Sequence, residues 1–167
     1  ASANGGSPVN LTKANEATDT LPTGSPDGKW LAYVAMARPG YEADRQVLML
    51  RDLKSGKTKA LTEAWDRSVG SINWAPDSKS LYVTAGEILD NPVFHIDLAG
   101  KVTRLTQSGH VSEVTPLKDG SIVYAMDSLQ QPSDLYLRDK AGKVRQLTNV
   151  NADAFAKIDK INVQRFD

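Results

Sequence analysis

The sequence contains no cysteine. Disulfide bonds, thiolate catalysis and cysteine zinc sites are therefore excluded. Neither sign of charge is in excess, with 20 basic and 20 acidic residues among 167, so the chain lacks the basic surface that binds nucleic acids or anionic membranes. It also has no apolar run near the roughly 20 residues that a membrane-spanning helix needs. We therefore expect neither a nucleic-acid partner nor a membrane partner.

Motifs of known catalytic sites are missing as well. There is no Gly-x-Ser-x-Gly elbow, no glycine-rich phosphate loop and no histidine pair at metal-binding spacing. His95 falls inside a predicted strand, where we expect a packed side chain. His110 falls in a predicted loop, where a surface histidine is a simpler interpretation than a catalytic one. The sequence thus predicts no catalytic residue, no metal ligand and no cofactor within this chain.

The chain does contain one sequence pattern that is repeated three times. An Asp-containing turn and an apolar strand open each unit, and a further strand, a glycine turn and a Leu-Thr pair close it. The openings are SPDGKWLAYVA, APDSKSLYVTA and KDGSIVYAM, and the closings are VLMLRDLKSGKTKALT, VFHIDLAGKVTRLT and DLYLRDKAGKVRQLT. The closing threonines, Thr62, Thr106 and Thr148, are 44 and 42 residues apart. Four short strands repeated every 40 to 45 residues or so are typical of β-propeller blades.

These repeats predict an all-β fold, a partial β-propeller of about three consecutive four-stranded antiparallel blades at residues 13–62, 63–106 and 107–148. Residues 1–12 end in another Leu-Thr element, PVNLT, and are predicted to supply the outer strand of a preceding blade. Residues 149–167 are predicted to form a short helix near Asn151 to Ile158, followed by a strand. Because a blade packs both faces against neighbours, three blades are too few for an ordinary closed ring, and we expect a segment of a longer propeller.

Each unit has two turns with distinct signals. Pro-Asp-Gly at 26–28 and Pro-Asp-Ser at 76–78 are typical of tight turns in which Asp bonds the local backbone, here between strands one and two. Gly56, Gly100 and Gly142 fit the left-handed position of a hairpin with a G1 bulge, between strands three and four. Since the strands run alternately up and down, these turns share one face, and the longer loops share the other.

Trp74 ends an innermost strand and is predicted to be a packing residue. Its counterpart in the first unit is Gly24, which leaves open the space that a ring would fill. We therefore expect the first unit to be locally weaker, or the space to be filled by a group that is absent from this sequence.

The longest predicted loop is MARPGYEADRQ, residues 36–46. It brings Tyr41, Glu42, Asp44 and Arg45 together between a Pro-Gly turn and a strand. Loops held by a rigid scaffold commonly carry binding sites. Two interpretations stay open: a solvated loop with a local ion pair, or a ligand-facing carboxylate pair that holds a cationic group.

The repeat form S/A-P-D-G/S-K-x-L-x-Y/V, followed by x-D-L-x-x-G-K-x-x-x-L-T, resembles TolB-type repeats and the propeller of prolyl-oligopeptidase-family serine peptidases. Residues 21–53 and 61–85 look most like the dipeptidyl-peptidase V and acylaminoacyl-peptidase relatives within that family. Residues 145–167 are similar to the point where that propeller meets its α/β-hydrolase domain. The resemblance covers nearly the whole chain.

The resemblance implies the propeller portion of a serine exopeptidase that releases dipeptides or acylated residues from peptide N-termini. The Ser-Asp-His triad would lie on a C-terminal α/β-hydrolase domain, so these residues alone are expected to hydrolyse nothing. The propeller would gate the entry of small peptide substrates and help to bind them. Tyr41, Glu42, Asp44 and Arg45 match a loop near the substrate entrance, which implies a role in recognising a free amino terminus.

A second hypothesis is a non-enzymatic TolB-like propeller that acts as a periplasmic protein-interaction module. The insert at residues 36–46 argues against it, because TolB-type repeats are more uniform in length. We expect a periplasmic or secreted location rather than a cytoplasmic one. Exposed blade flanks further predict that missing blades of the same protein cover them, or that copies pair as a homo-oligomer.

Overall fold

The computed structural model describes residues 4–159. Within this range the chain forms twelve strands and one short helix. The elements are β1 Asp19–Gly24, β2 Trp30–Ala35, β3 Val47–Asp52, β4 Thr58–Ala60, β5 Ser71–Trp74, β6 Ser80–Thr84, β7 Val93–Asp97, β8 Val102–Arg104, β9 His110–Pro116, β10 Ile122–Ser128, β11 Gln131–Arg138, β12 Val144–Gln146 and α1 Ala152–Phe155.

Consecutive strands pair into three four-stranded antiparallel sheets, and each sheet is a meander in chain order: β1 to β4, β5 to β8 and β9 to β12. The first strand of the middle sheet, β5, contacts both β1 and β9. The first strands of all three sheets therefore lie side by side, and the sheets follow one another as propeller blades do. The predicted partial propeller of three blades is confirmed.

Two apolar clusters join the blades. Leu48 and Leu81 belong to the cluster between the first and second blades, and Ile122 belongs to the cluster between the second and third. All five residues of β6 are buried because Val83 faces the first cluster with Leu81, whereas Tyr82 faces the second. The middle blade thus has the two packed faces that the apolar composition of its strands indicates.

The hairpin turns lie together at one end of the blades. Each turn between strands one and two contains an aspartate whose carboxylate accepts the amide proton of the residue two positions later, at 3.0–3.1 Å. These aspartates are Asp27, Asp77 and Asp119. In the turns between strands three and four, the predicted left-handed φ is found at Gly56, Gly100 and Gly142. The amide of Leu53 donates to the carbonyl of Lys29 at 2.9 Å, which joins the two turns of the first blade.

The Leu-Thr pair that closes each repeat forms a backbone clasp. In every blade, the threonine hydroxyl accepts the amide proton of a residue in the third strand. The bonds are Leu48 to Thr62 at 2.8 Å, Val93 to Thr106 at 2.9 Å and Leu135 to Thr148 at 2.9 Å. The leucine amide donates to the carbonyl of the same third-strand residue at 2.7–2.8 Å. The pair therefore extends the pairing of the outer strand beyond its last regular residue.

Residues 8–12, the described end of the segment predicted to supply the outer strand of a preceding blade, have no regular strand conformation. A strand needs a neighbour to pair with, and the described residues offer none at this position. The carbonyl of Leu11 instead accepts a hydrogen bond from Arg51 Nη1 at 3.2 Å. The Leu105 carbonyl accepts the equivalent bond from Arg138 Nε at 3.0 Å. Leu11 thus accepts a bond from the third strand of the first blade, just as Leu105, the closing leucine of the second blade, accepts one from the third strand of the third blade.

Trp74 is 7% exposed and packs in the first cluster, as predicted. Its indole nitrogen also donates to the carbonyl of Thr23 at 3.0 Å, across the two blades. Gly24 faces open space, where an added Cβ would meet no atom within 4 Å. The strand that contains it, β1, is mostly exposed, shifts register between Thr20 and Thr23, and has a φ of +54° at Leu21. The first blade therefore has the least regular inner strand of the three.

Helix α1 lies inside the range predicted for it and spans four residues. The strand predicted after the helix falls on residues 160–167, outside the described residues.

Candidate functional site

The connections at the other end of the blades differ from one blade to the next, and we call this end the loop face. Its long connections are residues 36–46, 61–70, 85–92 and 105–109. The remaining connection at this end is short, because β10 and β11 are joined by Leu129 and Gln130 alone.

Asp44 is the centre of the 36–46 loop. One carboxylate oxygen accepts the amide protons of Ala37 and Arg38, both at 2.8 Å. The other accepts the Arg38 guanidinium through Nε at 3.1 Å and Nη2 at 2.9 Å. The Asp44 side chain is 9% exposed. Both carboxylate oxygens are therefore used in closing the loop.

The charge of Asp44 is compensated within the loop. Hydrogen bonding from the Arg38 guanidinium, helped by the backbone amides, holds the pKa of Asp44 at about 2. The same ion pair raises the pKa of Arg38. The structure thus contains the local ion pair of the simpler interpretation, with Arg38 as its cation, and it does not present Asp44 as an open carboxylate.

Arg45 points away from Asp44 and toward the 61–70 loop. Its Nη1 donates to the carbonyls of Thr62, Glu63 and Trp65 at 3.2, 2.9 and 2.6 Å. The carboxylate of Glu63 lies 3.4 Å from Nη2. Arg45 therefore ties two neighbouring loops together.

Tyr41 and Glu42 form the exposed tip of the loop. The Tyr41 ring is 47% exposed, and the guanidinium of Arg38 lies 3.9 Å from its centroid, a cation–π contact. Glu42 is exposed, and its carboxylate has no hydrogen bond or ion pair with any residue between 4 and 159. Of the four predicted site residues, Glu42 is thus the one whose charge is open to a ligand.

His95 lies inside a strand, β7, as predicted, whereas His110 is the first residue of β9 and not part of a loop. His95 is half-buried and packs edge-to-face on Tyr82 with 5.3 Å between ring centroids, and burial lowers the pKa of His95. His110 is exposed and lies 3.6 Å from a carboxylate oxygen of Asp127.

The structure also shows a groove on the loop face that sequence analysis missed. It has a volume of about 450 Å³ and lies between the 85–92 loop and the β10–β11 hairpin, with Asp90, His110 and Asp127 among its lining residues. The signal was weak, because its residues come from three separate connections with no shared motif.

The structure gives no indication of a metal centre or a membrane span. In the part of the chain that is described, no three His, Asp or Glu side chains lie close enough together to hold a metal ion. No helix between residues 4 and 159 has the length and apolar character needed to cross a membrane.

Three meandering sheets whose first strands lie side by side define the chain as a β-propeller segment. No protein-family model matches the chain. It is 31% identical over 158 residues to dipeptidyl-peptidase 5 of Porphyromonas gingivalis, a match that covers 93% of this chain and 23% of that protein. The chain therefore spans about a quarter of the length of this relative.

Two solved structures are similar in fold. Acylaminoacyl peptidase of Pyrococcus horikoshii superposes with a TM-score of 0.67 at 22% identity, over 80% of this chain and 20% of that one. TolB of Acinetobacter baumannii superposes with a TM-score of 0.61 at 26% identity, over 80% of this chain and 33% of that one. Together with the match to dipeptidyl-peptidase 5, these superpositions confirm the predicted resemblance to the propeller of peptidases.

Proposed function

We propose that this chain is the propeller portion of a serine exopeptidase that releases dipeptides or acylated residues from peptide N-termini. The observation that carries the proposal is the match to a dipeptidyl-peptidase over 93% of the chain. The catalytic serine, aspartate and histidine would lie on an α/β-hydrolase domain that is the partner of this propeller. The propeller would gate access and bind part of a small peptide substrate.

The loop face supports a role in substrate binding. It carries the 36–46 loop, whose ends are fixed by the Arg38–Asp44 ion pair and by the bonds from Arg45 to the next loop. A tip held in this way can present a carboxylate without a large loss of loop entropy on binding. We therefore assign contact with the substrate amino group to Glu42, with Tyr41 beside it, and a positioning role to Asp44 and Arg45.

The reaction class is tested with the protein that carries this chain. A fluorophosphonate probe should label it on one serine, and incubation with an unmodified peptide should release dipeptides in steps from the N-terminus, detected by mass spectrometry. An N-acetylated peptide that loses its acylated first residue would instead place the activity in the acylaminoacyl class. Absence of both labelling and cleavage would refute the proposal.

A TolB-like interaction module is the second candidate, and the TolB superposition supports it. In that case a protein partner would dock on the propeller, and the gene would encode no Gly-x-Ser-x-Gly elbow beyond Asp167. Sequencing of the gene downstream of this codon separates the two candidates. A periplasmic or secreted location is proposed for either one, and cell fractionation tests it.

The outer flanks of the first and third blades are proposed contact surfaces. Leu135 and Val144 on the third blade are 42% and 49% exposed, and Leu11 beside the first is 45% exposed. We propose that further blades of the same protein cover these flanks, since Leu11 already occupies the closing-leucine position toward Arg51. A second copy is the alternative cover. Light scattering on the 167-residue chain tests the flanks, because a well-folded monomer at micromolar concentration would show that they need no cover.

A further inference from the structure

The groove on the loop face combines apolar walls with two carboxylates, those of Asp90 and Asp127. Leu89, Leu129 and Met126 are among its lining residues, and Leu89 and Leu129 are 59% and 69% exposed. Its volume of about 450 Å³ falls in the range of about 300 to 1,000 Å³ that small-ligand sites occupy. The groove can therefore enclose a side chain or a short peptide segment.

The shape of the groove is fixed by specific contacts. Asp90 Oδ1 accepts the amide proton of Gly109 at 2.8 Å, and the amide of Asn91 donates to the carbonyl of Gly109 at 3.0 Å. Position 109 has a φ of +86°, and a Cβ there would lie 2.7 Å from the sulfur of Met126 and 3.1 Å from the carbonyl oxygen of Asp127, so the position favours glycine. The 85–92 loop is thus attached to the third blade, and the groove is formed before any ligand arrives.

Two carboxylates give the groove its charge. Asp90 uses one oxygen on Gly109, which leaves its second oxygen available. An oxygen of Asp127 lies 3.6 Å from His110 Nδ1, beyond ordinary hydrogen-bond length. Among the described residues that line the groove, His110 is the one basic side chain.

This combination selects for one class of ligand. A wholly apolar group would bury the carboxylates without a partner, which is costly, and an anion would be repelled. A lysine side chain has a four-carbon apolar stem and a compact terminal cation, and so can contact Leu89 and Leu129 while its ammonium meets the carboxylates. We propose that this groove is a subsite for a basic side chain, that of lysine foremost, in a peptide bound on the loop face. The inference rests on the proposed function only for the source of the ligand, a peptide substrate.

The experiment uses two amino-blocked probes, acetyl-Ala-Lys-Ala-amide and acetyl-Ala-norleucine-Ala-amide, which differ only in the charged end of one side chain. Titration calorimetry on the protein that carries this chain, first treated with the fluorophosphonate so that neither probe is hydrolysed, should show at least fivefold tighter binding of the lysine probe. Because neither probe has a free amino terminus, recognition through Glu42 does not contribute. Failure here would therefore leave the exopeptidase proposal intact, and failure of that proposal would leave this binding intact.

Asp127→Asn keeps the shape of the side chain and removes its charge. It should reduce the preference for the lysine probe to less than twofold, whereas Asp66→Asn, on the fully exposed Asp66 outside the groove, should retain it. Equal binding of both probes by the unsubstituted protein, no binding, or an unchanged preference in Asp127→Asn would overturn the inference.

Hydrogen exchange on the unsubstituted protein gives a readout that does not depend on the folding of a variant. The lysine probe should protect the amides of residues 86–91 and 128–131, which border the groove. Protection confined to other segments, including a surface where another domain of the protein docks, would contradict the assignment.

Discussion

The two ends of the blades are built differently. At the turn end, the same features recur in all three blades: a backbone amide donates to the carboxylate of the aspartate two residues before it, and a glycine has a left-handed φ. At the loop face, each connection has contacts found nowhere else in the described chain, such as the Arg38–Asp44 pair and the bonds of Arg45 to three carbonyls. The repeated end maintains the fold, and the varied end is available for binding.

The largest expected effect is at the turn end. At Gly100, φ is +93° and an added Cβ would lie 2.6 Å from the carbonyl oxygen of Leu61 in the preceding blade. Gly100→Ala should therefore lower the free energy of unfolding by about 3 kcal/mol, since backbone strain and a clash with backbone add together. Gly28→Ala is the matched control, because its φ is +70° and a Cβ there meets nothing within 4 Å, so it should cost about 1 kcal/mol. Urea unfolding measures both, and equal losses would show that the turn end does not hold adjacent blades together.

A smaller effect is expected at the clasp. Thr106 is 5% exposed and accepts the amide proton of Val93 at 2.9 Å. Thr106→Val keeps the shape of the side chain but leaves that buried amide unpaired, and should destabilise the protein by about 2 kcal/mol. Thr103→Val, at an exposed position in β8 of the same blade, should be almost neutral. If thermal unfolding shifts equally for both, the Leu-Thr pair is not a clasp.

The repeated end is the part of the fold that the sequence predicts well. Asp27 and Gly56 act through hydrogen bonds to residues a few positions away, so spacing alone indicates their partners. The outer strand of a preceding blade at residues 1–12 stays a prediction, because its pattern is local but a strand also needs a neighbour to pair with. The Leu-Thr pair could be recognised because it recurs in the sequence, although its hydrogen bonds join residues that are 13 and 14 positions apart.

The loop face was predicted only in part. The sequence singled out Asp44 and Arg45 as neighbours with opposite charge, but the structure pairs each with a different partner. Asp44 binds Arg38, six residues earlier, and Arg45 binds carbonyls that begin 17 residues later. The residue with which each side chain pairs depends on how two loops pack against each other, and no local sequence pattern predicts that packing. The groove at Asp127 depends in the same way on three separate connections.

The smallest effect on stability is expected within the 36–46 loop, and it should depend on pH. The pKa of Asp44 is lowered from 3.8 to about 2, so its ionised form stabilises the folded state. This contribution is complete above the unfolded-state pKa and is lost as the pH falls toward 2. Asp44→Asn should therefore lower the urea midpoint by a constant amount between pH 5 and 7, and the gap to the unsubstituted protein should close between pH 4 and 2. A gap that widens as the pH falls would contradict the assigned ion pair.

The central claim, that the loop face of this propeller receives a peptide by its amino end, is tested most directly at Glu42. Glu42→Gln in the protein that carries this chain should lower kcat/KM about tenfold for a dipeptidyl substrate with a free amino group, a loss of ~1.4 kcal/mol, because one charge-assisted contact with the ammonium is removed. It should change kcat/KM less than twofold for an amino-blocked substrate, and Asp66→Asn should affect neither. Equal losses on both substrates, or no loss on either, would contradict the account.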